Sequence, residues 1–342
     1  LGFLHGLNFI LVLAIGRRVL GDLPADDRWR LPLLLAGAGV LTANFLSCLG
    51  NTMGDNLTAL FCLGGLLATL IAIERMHDGG RAAWPLLWLG GLSVGLGTAL
   101  KLTNGIYAFA LCAMLLLCSP GIRQRLGASF GFGVGVLIGF AIAGGYWHLH
   151  LWQTWGNPFF PQFSSLFPNP LIPPVGVVDT YWLPKSLTEY LLWPLLFSID
   201  SGRVGQMPVR QIIWAVAYAV FLGWLVTAAL RRLGGKGEIP RRLPPPALAL
   251  VTFVALGYLF WVLLFSIYRY LVPIELLLPI FILVVMRGLF NASTARRWSL
   301  GLVSVCTLVV VAGGAATWGH EGWVTPPYRA ELPPLDQPQR TT

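Results

Sequence analysis

The chain of 342 residues is 56% apolar and only 11% charged, and its mean hydropathy is +0.71. Soluble domains carry charge on roughly a quarter of their residues, so this composition excludes an ordinary soluble protein and predicts a polytopic membrane protein. The formal net charge is +9. In a soluble protein such an excess would suggest nucleic-acid binding, but in a membrane protein it arises from basic cytoplasmic loops. We therefore expect no nucleic-acid partner.

Apolar segments recur along the whole chain and are separated by charges or by clusters of Pro and Gly. A bilayer core of about 30 Å requires about 20 helical residues, and about ten segments approach that length. Their cores are 1–16, 32–48, 57–73, 84–100, 104–118, 127–146, 211–230, 246–266, 271–286 and 299–317.

The fold class that follows is all-α, a polytopic transmembrane bundle of about ten helices with a long extracytoplasmic loop. We predict one membrane domain over 1–320 with the outer loop at 147–210, then an extracytoplasmic tail at 321–342. Within the loop, the apolar piece 190–199 should lie along the outer interface. The chain opens at Leu1, already inside an apolar run, so an upstream piece is expected.

Basic residues are unevenly divided between the two sides of this topology. If the first segment ends inside, sixteen of the 23 Lys and Arg fall in cytoplasmic loops and seven fall outside. Cytoplasmic loops are enriched in Lys and Arg, so the split sets the orientation. Together with the apolar segments, it predicts an integral, multi-pass membrane protein.

Glycine occupies every fourth position at 127, 131, 135 and 139. Small residues at this spacing form one helix face and allow close helix contact in lipid. No strand precedes them and no Lys-Ser/Thr pair follows, so a nucleotide-binding loop is disfavoured. The five cysteines lie in or beside apolar runs without metal-ligand spacing, and we interpret them as core residues.

Candidate functional residues concentrate on the predicted outer face. Asp55, in the turn GNTMGDN, is either a helix N-cap or a carboxylate that holds a metal or a substrate hydroxyl. Lys101, with Asn104 in the turn KLTN, either reaches the interface or binds a lipid-linked phosphate. Arg269, beside Tyr270, has the same two interpretations, and its planar guanidinium favours phosphate.

Glu275 falls inside a predicted span, where an ionised side chain is costly unless it is paired or faces a cavity. Structural pairing and membership of the active site both remain open for it. We expect Asp55, Lys101, Arg269 and Glu275 to converge on one outward-opening pocket beneath the long loop.

The long loop adds further polar and aromatic residues. Trp147, His148, His150, Trp152 and Trp155 favour an interfacial aromatic belt. They are followed by the stretch GNPFFP, which contains Asn157, and later by Asp179 and Lys185. These last three are further candidate substrate-binding residues.

Four motifs in this order, GNTMGDN, KLTN, GNPFFP and RYLVPIELLLP, resemble the integral-membrane glycosyltransferases of the C-type fold. The resemblance is to the branch similar to dolichyl-phosphate-mannose-type and lipopolysaccharide-modifying bacterial transferases, and it spans nearly the whole chain. It implies transfer of a sugar from a polyprenyl-phosphate donor to a glycan, lipid or protein acceptor outside the membrane.

The resemblance also implies site roles. An acidic residue activates the acceptor hydroxyl, and cations hold the departing phosphate. The first visible span matches the family's second, so the principal base is expected upstream of Leu1, and Asp55 matches the acidic position of the second outer loop. No cofactor is indicated beyond a divalent cation at Asp55, and the sequence departs from the family pattern in having no Asp-x-Asp motif.

Two other functions remain open at this stage. A transporter or flippase of a lipid-linked or anionic substrate would suit Glu275 and the glycine-rich helices, although no inverted repeat is evident. An oligosaccharide polymerase or ligase would use the same donors. Membrane lipids are expected partners in every case.

Overall fold

A computed structural model describes residues 2–79, 83–174, 176, 180–205, 207–234 and 243–318. Over these ranges the chain is helical and forms no strand, which confirms the predicted all-α class. The α-helices are α1 (Gly2–Val19), α2 (Asp27–Val40), α3 (Ala43–Ser47), α4 (Asp55–His77), α5 (Trp84–Leu100), α6 (Gly105–Cys118), α7 (Ile122–Trp155), α8 (Leu187–Ile199), α9 (Ile213–Gly234), α10 (Pro245–Leu264), α11 (Val272–Glu275), α12 (Leu278–Leu289) and α13 (Ala292–Val311).

Within the described ranges, six helices are long and apolar enough to cross a membrane, which suggests a multi-pass membrane protein. These are α1, α4, α7, α9, α10 and α13. A seventh crossing results if Tyr268–Glu275 and Leu278–Leu289, which bend by 58° at their junction, count as one span. Helix length and composition do not confirm the predicted ten or so spans. Helices α5 and α6 are shorter, and the segment 32–48 is broken into α2 and α3.

The break between α2 and α3 has a local cause. Thr42 adopts an extended conformation, and its hydroxyl donates to the carbonyl of Gly39 at 2.9 Å. The backbone N–H of Asn44 donates to the Glu275 carboxylate instead of to a helical carbonyl. A distant side chain therefore completes the start of α3, which no local sequence pattern could reveal.

Helix α7 is longer than the predicted span 127–146. Its 34 residues correspond to roughly 50 Å at 1.5 Å per residue, well beyond a bilayer core of about 30 Å. The helix continues to Trp155 and ends where Gly156 takes the left-handed conformation with φ 67°, a common helix C-terminus. The loop predicted over 147–210 is corrected accordingly, since 147–155 belong to α7 and 187–199 form α8.

Glycines bring α5 and α7 into the most extensive helix contact among the described residues. A Cβ added at Gly91 or Gly95 would meet the backbone of α7, and one added at Gly135 or Gly139 would meet the backbone of α5. The four-residue glycine spacing in α7 therefore serves close helix packing, as predicted.

Ion pairs join helix ends and a loop on the side assigned to the cytoplasm. Arg18 contacts Glu74 at 2.8 Å, and two further pairs close the same end of the bundle. These are Arg287–Asp22 and Arg296–Asp27. Asp55 lies at the other end of α4 from Glu74. The helix order therefore groups these ion pairs at one end and the candidate residues at the opposite end.

Candidate functional site: a charged cluster at the helix ends

Asp55 is the first residue of α4 and is held in place by its neighbours. Gly54, with φ 81°, occupies the cap position, so Asp55 is not the N-cap considered from the sequence. The Asn56 side chain donates to the carbonyl of Phe45 at 3.0 Å, and the Asn8 side chain donates to the carbonyl of Asn56 at 2.8 Å. These bonds tie the start of α4 to α3 and α1.

Lys101 lies in the break between α5 and α6 and reaches back to this turn. Its ammonium donates to Oδ1 of Asp55 at 2.5 Å and to the carbonyl of Met53 at 2.9 Å. Burial lowers the pKa of Lys101 from its usual value, while the facing carboxylate of Asp55 opposes that effect. The cation therefore points into the protein at a polar turn.

Arg269 approaches the same carboxylate from the turn before α11. Its Nη1 lies 3.7 Å from Oδ2 of Asp55. The ring of Tyr270 lies 5.1 Å from the Arg269 guanidinium and 5.3 Å from Nζ of Lys101, within the range of cation–π attraction. The hydroxyl of Tyr107 donates to the carbonyl of Tyr270. Asp55, Lys101, Arg269 and Tyr270 thus form one group, called here the charged cluster.

The charged cluster retains unused hydrogen-bonding capacity. Among the described residues, none accepts a hydrogen bond from the Arg269 side chain, and Oδ2 of Asp55 accepts none. Lys101 uses two of the three donors of an ammonium. With two cations and one carboxylate, the cluster has a formal charge of +1. It is therefore suited to bind an anion that carries oxygen acceptors.

The charged cluster does not resemble a metal site. Within the ranges described above, no group of three His, Cys, Asp or Glu side chains could hold a metal ion. The nearest charged partners of Asp55 are cations, which oppose the approach of a divalent cation. The residues present do not fit the metal left open for Asp55.

Glu275 does not join the charged cluster. It is fully buried, and its two oxygens accept hydrogen bonds from the backbone N–H of Asn44 at 3.1 Å and from Nε1 of Trp214 at 2.7 Å. The expected convergence is therefore wrong for Glu275. Asp55, Lys101 and Arg269 do meet, but of the four residues only Arg269 lines the cavity beside this cluster. The chain bends directly after Glu275. Its carboxylate links α3 to α9 through the hydrogen bonds from Asn44 and Trp214.

The other candidate residues stabilise local turns. Asn104 donates to the carbonyl of Gly97, and Asn157 bridges its own turn through Gln162 and Phe159. Lys185 donates to the carbonyls of Thr180 and Tyr181. None of the three contacts the charged cluster through these bonds. Asp179 lies outside the described residues.

A cavity of about 120 Å³ lies beside Arg269 and is lined in part by Trp182 and by residues within 201–205 and 207–209. The polar and aromatic residues of its lining are Asn44, Ser47, Trp182, Ser201, Tyr268, Arg269 and Trp318. Sequence reasoning missed Asn44 and Ser47. The only available signal was their polarity within the apolar segment 32–48.

Comparison of the chain with protein-family models, with curated proteins and with solved structures finds no match.

Proposed function

We propose that the chain is a membrane glycosyltransferase that moves a sugar from a polyprenyl-phosphate carrier to an acceptor hydroxyl. We further propose that the charged cluster opens on the extracytoplasmic side of a bacterial inner membrane. In this topology the shorter helices and the bent pair complete about ten crossings. The split of basic residues between the loops supports the orientation.

The observation that carries this proposal is the unused donor capacity of Arg269 and Lys101 beside a buried carboxylate. A sugar linked through a single phosphate to a lipid is a phosphodiester with one negative charge. The cluster's formal charge of +1 matches that charge, whereas a diphosphate linkage would leave an excess of negative charge. Arg269 provides the planar pair of donors suited to phosphate oxygens.

The reaction then follows from the positions of the groups. The acceptor hydroxyl donates a hydrogen bond to Oδ2 of Asp55, which accepts none from the described residues, and the hydroxyl oxygen forms a new bond to the anomeric carbon. The bond from that carbon to the phosphate oxygen breaks, and the electron pair leaves with the lipid phosphate. Lys101 and Arg269 stabilise the charge on that leaving group. The hydroxyl proton passes to Oδ2 of Asp55.

The test is transfer of sugar from a radiolabelled polyprenyl-phosphate donor in membranes that contain the protein. Arg269→Met and Lys101→Met keep apolar side chains but remove the charge, and each should reduce the rate about a hundredfold or more. Arg269→Lys should retain only part of the transfer rate, because the point charge of Lys cannot make the two-pronged contact of Arg with a phosphate. Arg297→Met, an exposed residue at the opposite end of the bundle, is the matched control. Near-normal turnover in both cluster variants refutes the assignment.

A second function, transport of a lipid-linked or anionic substrate, is favoured by one observation. The helix interrupted between α11 and α12 and the buried Glu275 at the break resemble the discontinuous helices of secondary transporters. The same labelled donor distinguishes the two functions. Movement of the donor across a sealed vesicle membrane without a new glycosidic bond would favour the transporter.

A further inference from the structure

We infer that the cavity beside Arg269 is the subsite for the six-membered ring of an uncharged sugar. Its role in transfer rests on the proposed glycosyltransferase function, but binding of the ring does not. The cavity is lined by α3, by Trp182, by residues within 201–205 and 207–209, and by the turn 267–269, and it shares Arg269 with the charged cluster.

An unpaired hydroxyl is the first observation. Ser47 is only 4% exposed, and its hydroxyl has no hydrogen-bond partner among the described residues. It lines the cavity. A buried polar group without a partner is unfavourable, so a ligand hydroxyl at this position would supply the missing hydrogen bond.

Aromatic side chains are the second observation. Trp182, Tyr268 and Trp318 line the same space as Ser47. Binding sites commonly combine an apolar or aromatic lining with a few converging polar groups. A sugar ring has an apolar face of C–H groups and an edge of hydroxyls, and this lining offers partners for both.

The size and charge of the cavity narrow the ligand further. A cavity of about 150 Å³ holds one benzene molecule, so the observed volume of about 120 Å³ suits one six-membered ring with part of it outside. Among the described residues that line the cavity, only Arg269 is charged, and it also faces Asp55. A ring in the cavity would therefore have its anomeric position on the side of the charged cluster.

Binding is tested on the full chain in lipid nanodiscs, because sugar-based detergents would compete. The probes are the methyl glycosides of mannose, glucose, galactose and N-acetylglucosamine, followed by saturation-transfer NMR. We expect transfer to the ring protons of at least one glycoside. Ser47→Ala should weaken binding about two- to tenfold, as for the loss of one hydrogen bond, and Trp182→Ala should weaken it at least as much.

Two controls separate binding from folding. Trp182→Phe retains an aromatic ring and should bind more tightly than Trp182→Ala. Trp298→Ala removes an indole that is 58% exposed on α13 and should bind as the unaltered chain does. The melting temperatures of all variants are compared in the same discs. Absence of transfer to every glycoside, or transfer unchanged by both Ser47→Ala and Trp182→Ala, overturns the inference.

The two proposals can fail separately. Glycoside binding that depends on Ser47 and Trp182, without any sugar transfer, would keep the subsite and refute the glycosyltransferase. Sugar transfer with a donor KM unchanged in both variants would keep the enzyme and refute the subsite.

Discussion

The pairing of Asp55 with Lys101 should be energetically coupled. Their side chains are 3% and 15% exposed, so the pair is buried, and removal of one partner from a buried pair costs about 3–5 kcal/mol. Asn at position 55 still offers an oxygen to the ammonium. We therefore expect Asp55→Asn to lower the free energy of unfolding by about 3 kcal/mol, and Lys101→Met to lower it by a similar amount.

The double variant Asp55→Asn/Lys101→Met should lower the free energy of unfolding by less than the sum of the two single effects. Neither charge is then left buried without its partner, and groups in direct contact show coupling of about 0.5–3 kcal/mol. Arg269 provides the contrast. Its side chain is 30% exposed and lies 3.7 Å from the carboxylate, so Arg269→Met should cost at most about 1 kcal/mol.

The assay is reversible unfolding in mixed micelles, followed by tryptophan fluorescence, for the parent chain and each variant. Strict additivity, with single effects below about 0.5 kcal/mol, would refute the reasoning, because it would mean that the pair is solvated. A loss of stability in Arg269→Met as large as that in Asp55→Asn would also contradict it, because it would make Arg269 a structural partner.

Three further results are expected. In a background without native cysteines, an impermeant thiol reagent added outside should label a single cysteine near Gly156 but not one near Gly234, and the reverse pattern would overturn the orientation. Gly139→Ala places a methyl group against the α5 backbone and should lower stability by about 1–3 kcal/mol, whereas Gly223→Ala meets no atom within 4 Å and should be neutral or slightly stabilising in the same melting assay. Glu275→Ala leaves two buried donors unpaired. It should lower the free energy of unfolding by about 1–3 kcal/mol more than Glu275→Gln does, and equal melting curves for the two variants would contradict this.

Local sequence patterns predicted several features for physical reasons. Helices follow from long apolar runs, because a chain in lipid must satisfy its backbone hydrogen bonds within each segment. The glycine repeat in α7 predicted close packing because the four-residue spacing lies on one helix face. The alternation of the spans predicts that the turns of Asp55, Lys101 and Arg269 lie on one side, and the structure brings their charges together.

The sequence by itself determined an all-helical, multi-pass chain and the three charged turns at one end of it. Only the tertiary structure decided where Glu275 points, where the segment 32–48 breaks and which space lies beside Arg269. The reason is that each of these depends on groups far apart in the chain. The N–H of Asn44 is satisfied by a carboxylate 231 positions later, and no local periodicity encodes such a contact.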